Sequence, residues 1–376
     1  MPPTDESGAH RARGTGADAL RVLITDDSSV YRSILRRLLT SVPGVEVVGE
    51  ACNGREALEN IGSRRPDLVL LDCEMPELDG LATLRVLQHS YPDLPVFMVS
   101  SLGDAEHTTA ALRLGAWDFI VKPGDAEAAG PRLLGRLVAA VSSVRRARSL
   151  PERDVSTEAR PSAPIQAARN IRKQPFECLV IAASTGGPRA LERLLPHLPA
   201  TLAVPVLVVQ HMPAGFTESL ARGLARCTPM PVLHAESGHF LEPGRTWIAA
   251  GGTEIRIERV PGGERRLRIA LRDDGPSGQL RPSADVLMQS LADTLRGPVL
   301  SVVLTGMGED ARAGVSALKA HGGSCIAQDQ STSTVFGMPR AVIEAGLADH
   351  VLPLDAIPSA VTELIESQRR SRESAP

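Results

Sequence analysis

Three residues whose types together make an activated nucleophile sit at the ends of apolar runs. Ser184 lies in AASTGGP (182–188), His211 in VVQHMP (208–213) and Asp310 in LTGMGED (304–310). A serine hydroxyl is a weak nucleophile until an imidazole takes its proton. The imidazole does so best when a carboxylate orients it and balances the imidazolium. The chemistry this implies is acyl transfer. Glu309, Asp329 and Asp285 are rival acids, but Asp285 lies inside a helical pattern and Asp329 follows a later apolar run. His89, His107, His197, His234, His239, His321 and His350 lack a comparable placement, and the His234/His239 spacing matches no common metal motif. Gly186-Gly187-Pro188 after the serine reads as a turn into a helix, with proline suited to its first position and free N–H groups nearby. The backbone N–H groups of Thr185 and Met307 are candidate oxyanion donors, each worth ~3–4 kcal/mol if aimed at the developing charge. The order Ser, His, acid and the A-x-S-x-G surroundings argue against an α/β-hydrolase, which has G-x-S-x-G and places the acid second.

A second group of reactive residues lies upstream. Asp26 and Asp27 end one apolar run and Asp72 ends another, while Ser100 and Lys122 follow two more. In a parallel sheet such strand exits share one crevice. Carboxylates 4 Å apart repel by about 1 kcal/mol in water and by several times that near a protein surface. A hard divalent cation relieves this, and an all-oxygen set suits Mg²⁺. The arrangement fits phosphoryl transfer to Asp72, with Mg²⁺ and Lys122 neutralising charge and Ser100 binding the new phosphate.

The elements that position these groups follow from periodicity. Strands are expected at 21–25, 45–51, 67–72, 95–100 and 118–122, alternating with helices; in the first helix Val30, Ile34 and Leu38 should form the buried face, with Ser28 or Ser29 as cap. Five such βα units imply a parallel sheet covered on both faces. Residues 141–175 are rich in Arg, Ser, Pro and Ala and read as a linker, its first residues finishing a helix. Further strands are expected at 177–183, 204–210, 246–250, 254–260, 266–271, 299–305 and 324–328, with helices after Pro188, Gly215, Ser283, Asp310 and Pro339. The 256–271 stretch alternates with a period of two around Pro-Gly-Gly, as an antiparallel hairpin does.

At 376 residues the chain has room for two or three domains. Aromatics make up only 3%, so the cores must be built from aliphatic side chains. A formal charge of −3 gives no electrostatic case for nucleic acid or an anionic membrane. The five scattered cysteines suit a reducing cytoplasm. No run approaches the ~18 apolar residues of a spanning helix, and residues 1–19 read as a disordered tail rather than a signal peptide or anchor.

RVLITDDS, LDCEMPELDG, FMVSSLG and DFIVKP, in that order, resemble the receiver domain of bacterial response regulators. AASTGGP, VVQHMP, RPSADVLMQSLA, LTGMGED and QDQSTSTVFGMP resemble the catalytic domain of the chemotaxis protein-glutamate methylesterase, and the two resemblances together match that family's full architecture. The resemblance implies a flavodoxin-like receiver at 20–140 (five parallel strands, order 2-1-3-4-5). It also implies a doubly wound, mostly parallel α/β catalytic domain at 176–368 with an antiparallel hairpin, then a disordered tail at 369–376. It assigns Asp72 as phospho-acceptor, and Asp26, Asp27, Asp72 and the Glu74 carbonyl as ligands of Mg²⁺. Ser100, Lys122 and Phe119 become the switch residues. Ser184, His211 and Asp310 become the triad, with no cofactor for ester hydrolysis. The implied partners are a chemotaxis histidine kinase and methylated chemoreceptors, without nucleic acid or membrane insertion. The implied reaction, in the cytoplasm, is hydrolysis of glutamyl methyl esters, with deamidation of glutamines. A methylesterase of another sensory pathway and a catalytically silent, partner-binding regulator are the alternatives. The family usually has Gly where Ala311 stands, and often Pro and His in the segment carrying Ala250 and Glu254.

Overall fold

The computed structural model describes residues 19–101, 105–122, 130–149, 175–260, 266–273, 281–295 and 297–373. Residues 1–18 and 374–376 of the expected tails, linker residues 150–174 and the Pro-Gly-Gly turn lie outside the described residues.

The N-terminal unit runs β1 (Leu20–Thr25), α1 (Ser29–Thr40), β2 (Val45–Ala51), α2 (Gly54–Arg64), β3 (Leu68–Asp72), α3 (Gly80–Ser90), β4 (Val96–Ser100), α4 (Ala105–Leu114), β5 (Asp118–Val121) and α5 (Gly130–Ser149). The strands pair in parallel in the order β2-β1-β3-β4-β5. β3 and β4 are buried along their whole length, as strands covered on both faces must be. Ser28 caps α1, accepting the Tyr31 N–H. The buried face of α1 differs from the expected one: Leu35 and Leu39 are buried, Ile34 and Leu38 flank them, and Val30 stands 62% exposed. Both stripes fit a 3.6-residue period, and the angle at which the helix meets the sheet selects between them. α5 extends to Ser149, nine residues into the segment read as linker.

The C-terminal unit runs β6 (Cys178–Ala183), α6 (Gly187–Leu194), β7 (Val206–Gln210), α7 (Phe216–Ala225), β8 (Val232–His234), β9 (Thr246–Ile248), β10 (Glu254–Arg259), β11 (Leu267–Arg272), α8 (Ala284–Thr294), β12 (Val299–Val303), α9 (Arg312–Ala320), β13 (Ser324–Gln328), α10 (Met338–Glu344), β14 (His350–Leu352) and α11 (Ile357–Glu373). Seven strands form one parallel sheet, β14-β13-β12-β6-β7-β9-β8, while β10 and β11 form a separate antiparallel hairpin, whose β11 is also bridged by Phe240. β8 and β14 escape the sequence pattern because three residues at a sheet edge carry too little periodicity. α11 was also not anticipated, and it occupies residues 369–373 of the expected C-terminal tail. Pro196 ends α6, and a short 3₁₀ turn carries the chain onward with Leu191, Leu194, Leu195 and Leu198 all buried.

The chain enters the second sheet at its middle strand, β6, builds outward through β7, then returns to build the other half from β12. The reversal between β6 and β12 opens a crevice at the carboxyl ends of the strands, the usual place for a ligand in such sheets. In the first sheet the reversal lies between β1 and β3.

Candidate active site

Ser184 leaves β6, His211 leaves β7, and Asp310 lies on the loop after β12, so the three come from adjacent central strands at the second crevice. Glycine makes the approach possible. A Cβ at Gly306 would fall 2.8 Å from Ser184 Cβ and 2.3 Å from Met338 Sδ, so only glycine lets the β12 loop lie against the serine. Gly186 has φ +78°, and a Cβ there would meet Thr334 at 2.5 Å.

The Asp310 carboxylate occupies the N-terminus of α8. Oδ2 is 2.7 Å from His211 Nε2 and accepts the Ala284 N–H at 2.7 Å; Oδ1 accepts the Ser283 hydroxyl and the Asp285 N–H, each at 2.9 Å. The first turn of a helix has N–H groups without internal partners and a positive end of its dipole. Burial alone would raise the Asp310 carboxyl, but its bond and charge interaction with His211 and the Asp285 and Ala284 amides hold it well below the usual carboxylate range. Asp285 is the opposite case: burial raises it, the Asp310 charge adds to the rise, and its Oδ1 accepts the Gly314 N–H at the start of α9. Ala311 between them adopts φ +87°, the left-handed region an alanine rarely enters, yet every Asp310 contact is in place.

His211 is buried, and with Nε2 engaged by Asp310 its Nδ1 has no hydrogen-bond partner among the described residues. No hydrogen bond joins it to the Ser184 hydroxyl in this state; catalytic hydrogen bonds often close only around substrate. The rival acids behave otherwise. Asp329 holds Ser331 and Thr332, and Glu309 faces Arg312 at the surface. Among the described residues the Thr185 and Met307 amides donate no internal hydrogen bond.

Several supports were missed in the sequence. Gln210 Nε2 donates to the Ser184 carbonyl at 2.8 Å, the Thr305 hydroxyl to the Thr185 carbonyl at 2.9 Å, and Gln328 Oε1 accepts the Thr305 N–H at 2.7 Å. For the two glutamines the signal was a buried Gln ending a largely apolar strand, as in VLVVQ and SCIAQ.

At the first crevice, ligand oxygens of Asp26, Asp27 and Asp72 lie within 4.8 Å of one another. Lys122 Nζ is 2.7 Å from Asp72 Oδ2 and 2.8 Å from Asp26 Oδ2, but Asp26 Oδ2 receives no well-directed hydrogen bond. Burial and the Asp26 charge push the Asp72 carboxyl up to about 6 against the pull of Lys122. Burial works against the Lys122 charge, yet the two aspartates raise its pKa. Positive charge is therefore in deficit, and the residues fit a metal ion. Glu74, two residues past Asp72, is exposed. The Ser100 hydroxyl is engaged by Thr108 at 2.8 Å, not by Asp72.

Phe119 is fully buried, and its ring stacks on Phe216 of α7 with centroids 4.9 Å apart and planes 10° from parallel. Arg113 faces Glu192 at 3.7 Å, and Arg222 faces Glu106 at 3.1 Å. Asp118 lies against the turn after the serine. Burial raises its carboxyl, opposed by the Arg136 charge, by the Phe119 amide and by the Thr185 hydroxyl and Gly186 amide. The first unit therefore bears directly on the nucleophile turn of the second.

Comparison with known proteins matches residues 179–361 to the CheB methylesterase family and residues 22–130 to the response regulator receiver domain. The protein-glutamate methylesterase/protein-glutamine glutaminase of Geobacillus kaustophilus is 42% identical over 355 residues, spanning 92% of this chain and 99% of that protein. The protein of the same name from Pyrococcus abyssi is 39% identical, spanning 93% of this chain and 95% of that one. The crystal structure of the Thermotoga maritima CheB methylesterase catalytic domain is 39% identical over 51% of this chain and 98% of that one, with a TM-score of 0.48. Among the described residues no helix is long and apolar enough to cross a membrane.

Proposed function

Because the chain belongs to the CheB methylesterase family, with a response regulator receiver domain in front, we propose that it is a phosphorylation-activated serine esterase of bacterial chemotaxis. It removes methyl groups from glutamate γ-methyl esters on chemoreceptors and deamidates receptor glutamines to glutamate. The observation that carries this reading is the His211–Asp310 contact at 2.7 Å beside the Ser184 turn, with His211 Nδ1 left free to act as a base.

In the reaction, Nδ1 takes the Ser184 proton as Oγ attacks the ester carbonyl. The Thr185 and Met307 amides receive the charge that develops on the carbonyl oxygen. Collapse of the tetrahedral intermediate expels the methoxy group, which takes the proton from the imidazolium and leaves as methanol. Water then attacks the acyl-enzyme by the same route, releasing glutamate and restoring Ser184. With glutamine the first product is ammonia. Asp310, held ionised by α8, keeps Nε2 protonated and the ring oriented.

The receiver is read as residues 20–140 and the catalytic domain as 176–368, joined by a linker and acting in the cytoplasm. Asp26, Asp27, Asp72 and the Glu74 carbonyl would hold Mg²⁺, which would offset charge at the acceptor. A chemotaxis histidine kinase supplies the phosphoryl group to Asp72. Lys122 pairs with it, and Ser100 leaves Thr108 to bind it. The unphosphorylated receiver covers the catalytic turn through Asp118 and Phe119. Charge added at Asp72 loosens that contact.

The test is methanol release from a methylated receptor. Ser184→Ala should lower the rate at least ~10³-fold while Asp72 still takes phosphate. Release undiminished in that variant would rule out the serine mechanism.

A further inference from the structure

One buried carboxyl has no role in the reaction as written. Glu254 opens β10 and is 1% exposed. Its Oε2 accepts the Ser283 backbone N–H at 3.0 Å, while Oε1 is buried without a hydrogen-bond partner among the described residues. An unpartnered polar oxygen in the interior is costly, so the position is not explained by the comfort of the side chain itself.

Its neighbour supplies the explanation. Ser283 is the N-cap of α8, and its hydroxyl accepts the Val286 N–H. In a capping box the residue three past the cap is Glu or Gln, and its side chain returns to the N–H of the cap. Here that residue is Val286, which has no acceptor to offer. Glu254 takes its place from 29 residues upstream, so the box closes through space. The hairpin of β10 and β11, which joins no strand of the large sheet, is the element that brings it there.

From the cap the path to the base is continuous. The Ser283 hydroxyl donates to Asp310 Oδ1 at 2.9 Å, and Asp310 Oδ2 meets His211 Nε2 at 2.7 Å. We propose that Glu254 is a positioning residue for ester hydrolysis: by fixing the Ser283 amide it fixes the start of α8, hence the Asp310 carboxylate, hence the His211 ring. This rests on reading Asp310 as the triad acid.

The experiment compares full-length variants on a glutamyl γ-methyl ester peptide, with phosphate uptake by Asp72 as the check on folding. Glu254→Gln keeps an oxygen acceptor for the Ser283 N–H and should retain kcat within about threefold. Glu254→Ala should lose kcat by about 10- to 100-fold with KM unchanged, the size expected when a catalytic group is displaced by a fraction of an ångström. In proton NMR the Nε2–H signal of His211 should survive in Glu254→Gln and broaden in Glu254→Ala. Ser283→Ala leaves the helix backbone in place and should lower kcat by about tenfold through the next link. An unchanged kcat in Glu254→Ala or Ser283→Ala, or a Glu254→Gln as impaired as Glu254→Ala, overturns the proposal. If Asp310→Asn is also fully active, the triad reading itself is wrong; if Asp310→Asn is inactive while Glu254→Ala is normal, only the positioning role falls.

Discussion

The two sheets solve the same geometric problem and put opposite chemistry into it. Each reverses its strand order once, and each places aspartates at the carboxyl ends of the strands beside that reversal. In the receiver the carboxylates are under-supplied with positive charge: Asp72 is pushed up to about 6, and Asp26 Oδ2 has no well-directed donor. In the catalytic domain Asp310 takes three donors from the start of α8 and the imidazole besides. In the roles proposed for them, the group that forms new bonds is left wanting them, and the group that stays unchanged through every turnover is saturated.

Low pH should move the two sites in opposite directions. Asp310 has a folded pKa below its unfolded value, so it stabilises the fold above about pH 4 and loses that contribution as pH falls toward the folded value. Asp72 has a folded pKa above its unfolded value. Between about pH 4 and 6 the folded chain binds the extra proton, so without a cation stability declines as pH rises through that window.

The largest expected effect lies at the saturated site. Asp310→Asn keeps the shape but favours the wrong imidazole tautomer, and kcat should fall by about 10³- to 10⁴-fold. A loss below tenfold would erase the contrast between the sites. At the under-supplied site, Mg²⁺ competes with a proton on Asp72. Its apparent Kd by calorimetry should weaken about tenfold per pH unit below 6 and level off above, a dependence that Asp72→Asn removes. A flat profile in the parent protein would show that the acceptor is not a ligand. Between the sites, Arg113→Glu places like charge against Glu192 and should raise hydrolysis by unphosphorylated protein about two- to fivefold. Adding Glu192→Arg should reverse the rise. No rise would mean that this contact does not hold the receiver over the serine turn. The smallest effect belongs to Ala311→Gly. Release of left-handed strain, about 1–2 kcal/mol, is offset by a freer unfolded chain and by loss of a buried methyl, so unfolding free energy should change by less than about 1 kcal/mol.

Much of this was legible in the chain. Strand exits follow from where apolar runs stop, which is why Asp26, Asp72, Ser184 and His211 could be placed from local pattern alone. Ala311 was visible as a departure from the family pattern; the structure accommodates it at φ +87° with the Asp310–His211 contact in place. What local pattern could not supply was the long-range pairing. Ser283 reads as an ordinary cap, and nothing near it announces that α8 faces residue 310 or that Glu254 closes the cap from another strand. The buried stripe of α1 was displaced for a related reason, since a helix alone does not choose between two adjacent faces.

The stacked rings of Phe119 and Phe216 join the last strand of the receiver, β5, to the first residue of α7. Thermodynamic linkage requires their influence to run both ways. If a phosphoryl group on the receiver loosens this stack by some factor, then the intact stack opposes loading of Mg²⁺ and a phosphoryl mimic by the same factor. In that case the esterase half is a ballast on its own regulator, and a receptor segment that wedged the halves apart would make the receiver easier to charge.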